Sequence, residues 1–237
     1  MAKVKQVLGR VASFDKSSMK TYIDSLGCPL VTTSLESRYY DNDTLVMSID
    51  GHGTLKYSID SEYKDRTTFY IDFDNGYSWY AGRYMLPDPR YNQYTLTSVC
   101  SDKVFYLRFD GNSWGYRSLM FLYSKLPNGR YLVGGAYPGY APAPLSDVEM
   151  HSNDATQGIF TYTNTLNYTT SGNKIYYCSQ AALCASVQSV TTKFYDDPNF
   201  IACSTVPLDK AITFKGQNYY SISTNLLVPI DKEPNNG

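Results

Sequence analysis

The sequence predicts a mainly β protein whose antiparallel strands form a sandwich or barrel-like sheets. Three observations support this fold class: alternating apolar runs closed by glycine-containing turns, a high tyrosine content, and an aromatic hairpin that occurs twice. The chain has 24 Tyr against 10 Phe and 2 Trp. Tyrosine suits a pleated, half-buried surface, because its ring packs while its hydroxyl stays hydrated.

The clearest single hairpin lies in the first quarter of the chain. The apolar run Leu45–Ile49 leads into Asp50-Gly51, and Thr54–Ile59 follows with alternating polarity. An Asp-Gly turn between alternating runs is a strong hairpin signal. Further strands are predicted at Arg130–Val133, Ile159–Tyr168, Lys174–Cys178, Ala211–Phe214 and Tyr219–Ile230.

Two segments have helical periodicity. Met19, Tyr22, Ile23 and Leu26 follow the i, i+3, i+4, i+7 pattern, with Ser17 or Asp15 as the N-cap and Gly27 at the C-terminal end. This predicts one short N-terminal helix. A second short helix is expected near 179–190, where Leu183, Cys184, Val187 and Val190 share one side, although β-branched residues and serines disfavour helix.

A Gly/Pro-rich stretch, Gly134–Pro144, holds three Pro and three Gly in eleven residues. Helices and central strands do not accommodate such a composition. One interpretation divides the chain here, into an N-terminal β lobe at 1–133 and a C-terminal β lobe at 145–237. The alternative is one continuous domain in which 134–144 is a surface loop.

The internal repeat is the most informative feature. Phe69–Tyr80 reappears as Phe105–Tyr116, with the shared skeleton Phe-Tyr-(Ile/Leu)-x-Phe-Asp, a Gly/Asn turn, and Ser-Trp-x-Tyr. Successive side chains of a strand point to opposite faces. The core faces are therefore predicted to hold Phe69, Ile71 and Phe73 in the first copy, and Phe105, Leu107 and Phe109 in the second.

The loop lengths of the two copies decide where the tryptophans point. A three-residue loop Asp74-Asn75-Gly76, with Gly76 in the left-handed conformation, pairs Trp79 with Ile71. In the shorter second copy, a two-residue loop Gly111-Asn112 pairs Trp114 with Phe109. Both tryptophans then lie on the core face.

Two functions can be assigned to the repeat. It could be a carbohydrate platform in which aromatic rings stack on sugars and carboxylates bind hydroxyls, formed by Trp79, Tyr80, Trp114, Tyr116, Asp74 and Asp110. It could instead be duplicated core structure. The core-facing tryptophans favour the second interpretation.

No catalytic, cofactor or metal motif is predicted. His52 lies in a Gly-His-Gly turn, His151 lies in a polar stretch, and no Gly-x-Ser-x-Gly or phosphate-binding glycine loop occurs. The paired carboxylates, such as Asp196 and Asp197, are typical of turns. The five cysteines lack a Cys-X-X-Cys spacing, which predicts buried free thiols rather than disulfides or a zinc site. We therefore expect a protein that is not an enzyme.

Composition narrows the partners. The net charge is −1 and no Lys/Arg cluster occurs, so direct nucleic-acid binding is not expected. The N-terminus has no signal-peptide pattern and no apolar run approaches a membrane span, which predicts a soluble chain that folds in a cytoplasm. Charged residues make up only 18%, which favours a protein that works within an assembly.

The C-terminal segment Ala211–Asp231 resembles β-rich segments of bacteriophage virion proteins, especially tail, neck and baseplate components. The resemblance covers about 20 residues and concerns their composition and their strand-rich pattern, without a diagnostic motif. It implies a homo-oligomeric structural part of a virion, assembled in the host cytoplasm with other virion proteins. The alternative is a carbohydrate-binding module that recognises a host surface glycan through the aromatic hairpins.

Overall fold

The structure is a computed structural model that describes most of the chain. The described residues are 3–10, 15–38, 41–59, 67–81, 93–111, 119–136, 150–152, 157–162, 167–171, 174–187, 191–203, 206–214, 216–223, 226–231 and 235–236.

These residues form one α-helix, one short 3-10 turn and many strands. The N-terminal half comprises β1 (Lys3–Arg10), α1 (Lys16–Ser25), β2 (Val31–Arg38), β3 (Asp41–Ile49), β4 (Gly53–Ile59), β5 (Thr67–Phe73), β6 (Ser78–Ala81), β7 (Gln93–Cys100), β8 (Val104–Gly111), β9 (Leu119–Lys125), the 3-10 turn (Pro127–Gly129) and β10 (Tyr131–Ala136). The C-terminal half comprises β11 (Met150–Ser152), β12 (Gln157–Tyr162), β13 (Asn167–Ser171), β14 (Lys174–Val187), β15 (Thr191–Cys203), β16 (Ala211–Phe214), β17 (Gln217–Ser223), β18 (Leu226–Ile230) and β19 (Asn235–Asn236).

The strands form two sheets, which confirms the mainly β prediction. The smaller sheet has the order β2-β3-β4-β5-β6 and is antiparallel throughout. The larger has the order β16-β17-β18-β15-β14-β12-β11-β10-β9-β8-β7-β1-β19, with β13 also paired to β14. All its pairings are antiparallel except that of β1 with β19. The result is a sandwich-like arrangement of sheets.

The predicted Asp-Gly hairpin joins β3 and β4. Asp50 and Gly51 have φ values of 49° and 76°, and the His52 N–H donates to the Ile49 carbonyl over 2.9 Å. Two successive positive φ values match the twist of the flanking strands. Gly53 is required for another reason, since a Cβ there would lie 2.5 Å from the Asp72 carbonyl oxygen.

Helix α1 confirms the predicted N-terminal helix. The Asp15 carboxylate caps it by accepting from the Ser18 N–H at 2.9 Å. Met19 and Ile23 are buried, and Gly27, with φ +58°, follows the helix at its C-terminal end. In the part of the chain that the structure describes, no helix combines the length and apolar character needed to cross a membrane.

The second predicted helix is wrong. Its residues up to Val187 belong to β14, while 188–190 lie outside the described residues. This segment is a strand because β14 pairs with β15 along one edge and with β12 along the other. A register shift between Gln180 and Ala181 interrupts the alternation. Tertiary pairing therefore overrides a weak helical pattern.

The first core lies between the smaller sheet and strands β7–β10. It contains buried side chains of both sheets and of α1, among them Met47, Ile71, Leu96, Phe121 and Tyr131. The rings of Phe73 and Tyr131 lie 5.7 Å apart across this interface. The burial of large aromatic and aliphatic side chains holds the two layers together.

A second core covers the opposite face of β7–β10. Val99, Tyr106 and Leu122 of these strands pack with residues of β17 and β18 such as Ile222 and Val228. The larger sheet thus folds back so that its C-terminal strands lie on its own central strands. This core draws on both halves of the chain.

The predicted Gly/Pro-rich connector is described only in part. Gly134–Ala136 belong to β10, and residues 137–149 lie outside the described part. The division into two lobes therefore stays a prediction.

The prediction of five free thiols is wrong for two of the cysteines. Cys28, just before β2, and Cys100, at the end of β7, form a disulfide with their Cα atoms 5.7 Å apart and a sequence separation of 72. An odd cysteine count requires only one unpaired thiol, so it does not exclude a bridge. The bond joins the smaller sheet to the larger one.

Candidate functional site

The two copies of the repeat lie in different sheets and face each other. The first copy forms β5 and β6 of the smaller sheet, whereas the second contributes β8 to the larger sheet. Their predicted core faces are confirmed, since all six core-facing residues are buried: Phe69, Ile71, Phe73, Phe105, Leu107 and Phe109. The repeated aromatic side chains therefore pack between the sheets.

The loop of the first copy is as predicted. Gly76 has φ +81°, and the Phe73 N–H donates to the Tyr77 carbonyl over 3.0 Å around Asp74-Asn75-Gly76. The register sets Trp79 opposite Ile71. The side chain of Trp79 lies outside the described part of the structure, so its predicted core-facing position stays a prediction.

The loop predicted for the second copy is wrong. Strand β8 continues to Gly111, and Phe109 pairs with Leu119 of β9 instead of Trp114. The Gly-Asn dipeptide is a local turn signal, but here the register is set by the long pairing of β8 with both β7 and β9. Trp114 and Tyr116 lie outside the described residues.

The remaining predicted site residues do not form one described platform. Tyr80, on β6 of the smaller sheet, pairs with Tyr70 of β5. Asp110, on β8 of the larger sheet, pairs with Thr95 of β7. Of the side chains of the six predicted residues, the structure describes that of Asp74. It lies in the turn after β5, and its contacts are with protein groups.

Asp74 belongs to a cluster that joins the two turns of the smaller sheet to β10. Its carboxylate accepts from the Tyr131 hydroxyl and from His52 Nδ1, the latter at 3.0 Å. The His52 and Tyr131 rings are 4.6 Å apart. Burial alone would raise the pKa of Asp74, but the hydrogen bonds from Tyr131 and His52 outweigh it and hold the pKa below its ordinary value.

Asp50 forms the neighbouring cluster. Its carboxylate accepts from the Tyr123 hydroxyl at 2.8 Å and from Lys125 Nζ at 2.9 Å. Burial and the nearby Asp50 carboxylate raise the pKa of Tyr123 above its ordinary value. The Tyr123 and Tyr131 rings are stacked with centroids 5.6 Å apart, so the Asp50 and Asp74 clusters are adjacent.

The chemistry available to these clusters is limited. A His–Asp pair can orient a general base. The described contacts of the His52 ring, however, are with Asp74 and Tyr131, which join the same turns and strands. Within the described ranges, His, Cys, Asp and Glu form no group of three or more that could hold a metal ion. The arrangement acts as a joint between the sheets.

A third polar cluster, centred on Arg108, was missed by the sequence reasoning. Arg108 is 1% exposed, and its guanidinium pairs with the Asp209 carboxylate at 2.5 Å and donates to the Ile222 carbonyl at 3.1 Å. The Tyr220 hydroxyl donates to the other Asp209 oxygen at 2.9 Å, and burial raises the pKa of Tyr220. The cluster fastens the C-terminal strands onto β8.

A signal for this cluster was present in the sequence. Val104–Phe109 is apolar or aromatic at every position except Arg108. Near-continuous apolar runs are typical of strands buried on both faces. The alternation argument placed only Phe105, Leu107 and Phe109 in a core, whereas Tyr106, on the opposite face of the strand, is fully buried in the second core.

Strand β2 is the outermost strand of the smaller sheet, and Leu35 on it is 40% exposed, on the same strand face as the inward-directed Val31. A strand edge presents backbone donors and acceptors that a further strand can bind.

Comparison of the chain with protein-family models, curated proteins and solved structures found no match.

Proposed function

We propose that this protein is a non-enzymatic structural subunit that acts through protein–protein contacts in a virus particle, as a tail, neck or baseplate component of a bacteriophage. Its partners are copies of itself and other virion proteins. The observation that carries the proposal is that the described ionic and aromatic clusters are used to join the layers of the fold. Contacts of this kind suit a subunit that must stay rigid within an assembled particle.

Three separate polar joints support this view. The Asp74 and Asp50 clusters hold the turns of the smaller sheet against β9 and β10, and the Arg108 cluster holds β17 against β8. The Cys28–Cys100 bond adds a covalent link between the sheets. Buried polar networks whose groups are satisfied rigidify a structure and specify one arrangement. A rigid scaffold with an open strand edge is suited to assembly.

The carbohydrate-binding alternative receives no support from the described side chains. Among the described aromatic residues of the repeat, Phe69, Phe73, Phe105 and Phe109 lie in the core, and the partly exposed Tyr70 is hydrogen-bonded to Ser78 of the neighbouring strand. Asp74 already accepts hydrogen bonds from two protein side chains. Glycan recognition stays a prediction for the remaining residues.

The native mass tests the proposal. Light scattering coupled to gel filtration, over a wide concentration range, should give a defined multiple of the 26.7 kDa chain. An antibody against the purified chain should label particles released by the cells that produce it. A stable monomer at every concentration, together with unlabelled particles, would contradict the proposal, and glycan binding by that monomer would favour the alternative.

A further inference from the structure

Two of the cysteines outside the Cys28–Cys100 bond lie directly opposite each other in a strand pair. In the antiparallel ladder of β14 with β15, the register sets Cys178 against Cys203. Cys184, which is also on β14, lies opposite an aromatic residue of β15 instead. The topology therefore brings two sulfur-bearing residues from different parts of the sequence to one register position.

The backbone separation at such a position suits a disulfide. Residues directly opposite in an antiparallel pair have Cα atoms about 5.5 Å apart where the pair is hydrogen-bonded and about 4.5 Å apart where it is not. Disulfide-bonded cysteines have Cα atoms about 4.4–6.8 Å apart, so both kinds of pair fall within the range. A bond between Cys178 and Cys203 therefore requires no change of register.

The ladder between β14 and β15 is short at this point. A register shift divides it, and three residue pairs lie on the cysteine side of the shift, of which the last joins Gln180 to Ile201. Ile201 and Ala202 of the same stretch also pair with β18. The C-terminal strands β16–β18 thus join the rest of the larger sheet by main-chain pairing along this stretch. A covalent link here would fasten them to β14.

We propose that Cys178 and Cys203 are a reversible dithiol–disulfide pair, which a low-molecular-weight disulfide such as oxidised glutathione closes. The open form has two thiols, and the closed form links β14 to β15 beside the register shift. Cys184 takes no part, because its register position brings no cysteine opposite it. This chemistry needs no partner protein, so it is independent of the assembly proposed above.

Closure consists of two successive thiol–disulfide exchanges. In the first, the thiolate of one cysteine attacks a sulfur of oxidised glutathione, so that a mixed disulfide forms and one glutathione leaves as a thiolate. In the second, the opposite cysteine thiolate attacks the protein sulfur of the mixed disulfide and releases the second glutathione. Two protein thiols are oxidised, one glutathione disulfide is reduced to two thiols, and the two thiol protons pass to the released glutathione. An added dithiol reverses both steps.

Peptide mapping after oxidation tests the pair. The folded full-length chain is treated with oxidised glutathione, its remaining thiols are blocked with N-ethylmaleimide in denaturant, and it is digested with trypsin in the absence of reductant. Cleavage at lysine yields peptides 175–193 and 194–210, which contain Cys178 and Cys203 respectively. We expect the two peptides to be linked by a bond that dithiothreitol breaks.

Cys184 lies in the same peptide as Cys178, so two variants are needed to assign the bond. Cys184→Ser is the matched control and should still yield the linked peptides, whereas Cys178→Ser should lose them. Oxidation should also raise the midpoint of thermal unfolding by several degrees in Cys184→Ser and leave that of Cys178→Ser unchanged, because a disulfide constrains the unfolded chain. Circular dichroism confirms that each variant folds.

Three other products would each overturn the proposed pair. The first is oxidised, folded chain in which Cys178 and Cys203 both carry maleimide. The second is a bond from Cys203 to Cys184, which the β14–β15 register does not allow. The third is glutathione retained on Cys178 or Cys203 in the wild-type chain, because the second exchange would then have failed. None of these results would bear on the structural-subunit proposal.

Discussion

The rings of Phe69 and Phe109, which belong to opposite copies of the repeated hairpin, lie 5.5 Å apart with their planes inclined at 59°. Each is buried, and both contact the ring of Tyr57, at 5.3 Å and 6.2 Å. Inclined ring pairs at such distances are favourable beyond the area that they bury. The duplicated sequence therefore supplies both sides of one interface.

Truncation of either ring should destabilise the fold. We expect Phe109→Ala to lower the free energy of unfolding by about 3–5 kcal/mol, because it opens a cavity between the sheets. Asp72→Asn is the matched control on the outer face of β5, where the side chain is exposed, and should change stability by less than about 0.5 kcal/mol. Equilibrium denaturation in urea measures both, and equal effects would contradict the assignment.

The Arg108 ion pair predicts a strong effect of an isosteric change. Asp209→Asn leaves the buried guanidinium without its counter-charge and should cost about 3–5 kcal/mol. Asparagine tolerates the left-handed backbone of Asp209, with φ 56°, so backbone strain does not explain the loss. The double variant Arg108→Met with Asp209→Asn should recover part of it. If the single variant unfolds at the wild-type urea midpoint, the pair is not a structural joint.

The Asp74 cluster predicts a dependence of stability on acid. Because the pKa of Asp74 is lower in the folded state than in the unfolded state, the folded state binds fewer protons in acid. The stabilisation is complete above the unfolded-state pKa and is lost as pH falls through the folded-state pKa. We expect Asp74→Asn and Tyr131→Phe to flatten the fall in urea midpoint between neutral pH and about pH 3. Parallel curves for wild type and both variants would contradict this role.

The disulfide predicts sensitivity to reductant. Cys28 and Cys100 are 72 positions apart in sequence and close a long loop, so loss of the bond should lower stability by about 2–4 kcal/mol. Thermal unfolding with and without reductant measures the effect. The Cys28→Ser with Cys100→Ser variant should be insensitive to reductant. Alkylation of the unreduced, denatured wild type, followed by peptide mapping, should leave Cys28 and Cys100 unlabelled, and labelling of both would show that the bond does not form.

Local turn chemistry explains what the sequence predicted correctly. Asp50, Gly51 and Gly76 have positive φ values, and the two turns that contain them set the registers of β3–β4 and β5–β6. The Asp15 cap and the apolar stripe of α1 are likewise local signals. Both could be read without knowledge of the rest of the fold.

The errors arose where distant partners decide the structure. The 179–187 segment is a strand because β12 and β15 pair with its two edges. Phe109 pairs with Leu119 because β8 lies in the middle of a sheet. Arg108 and Asp209 are 101 residues apart in sequence. The His52–Asp74–Tyr131 cluster likewise joins two turns to a later strand. No local sequence pattern predicts that these three side chains contact one another.

The face-to-face packing of the two repeats has an evolutionary consequence. A duplicated segment usually drifts freely in one copy, but here each copy is the environment of the other. A bulkier side chain at 69 takes space from 109, so the residue volumes at these positions should vary inversely among descendants of this chain. The two copies therefore constrain each other's side-chain volumes, and a change in one copy should be accommodated by a compensating change in the other.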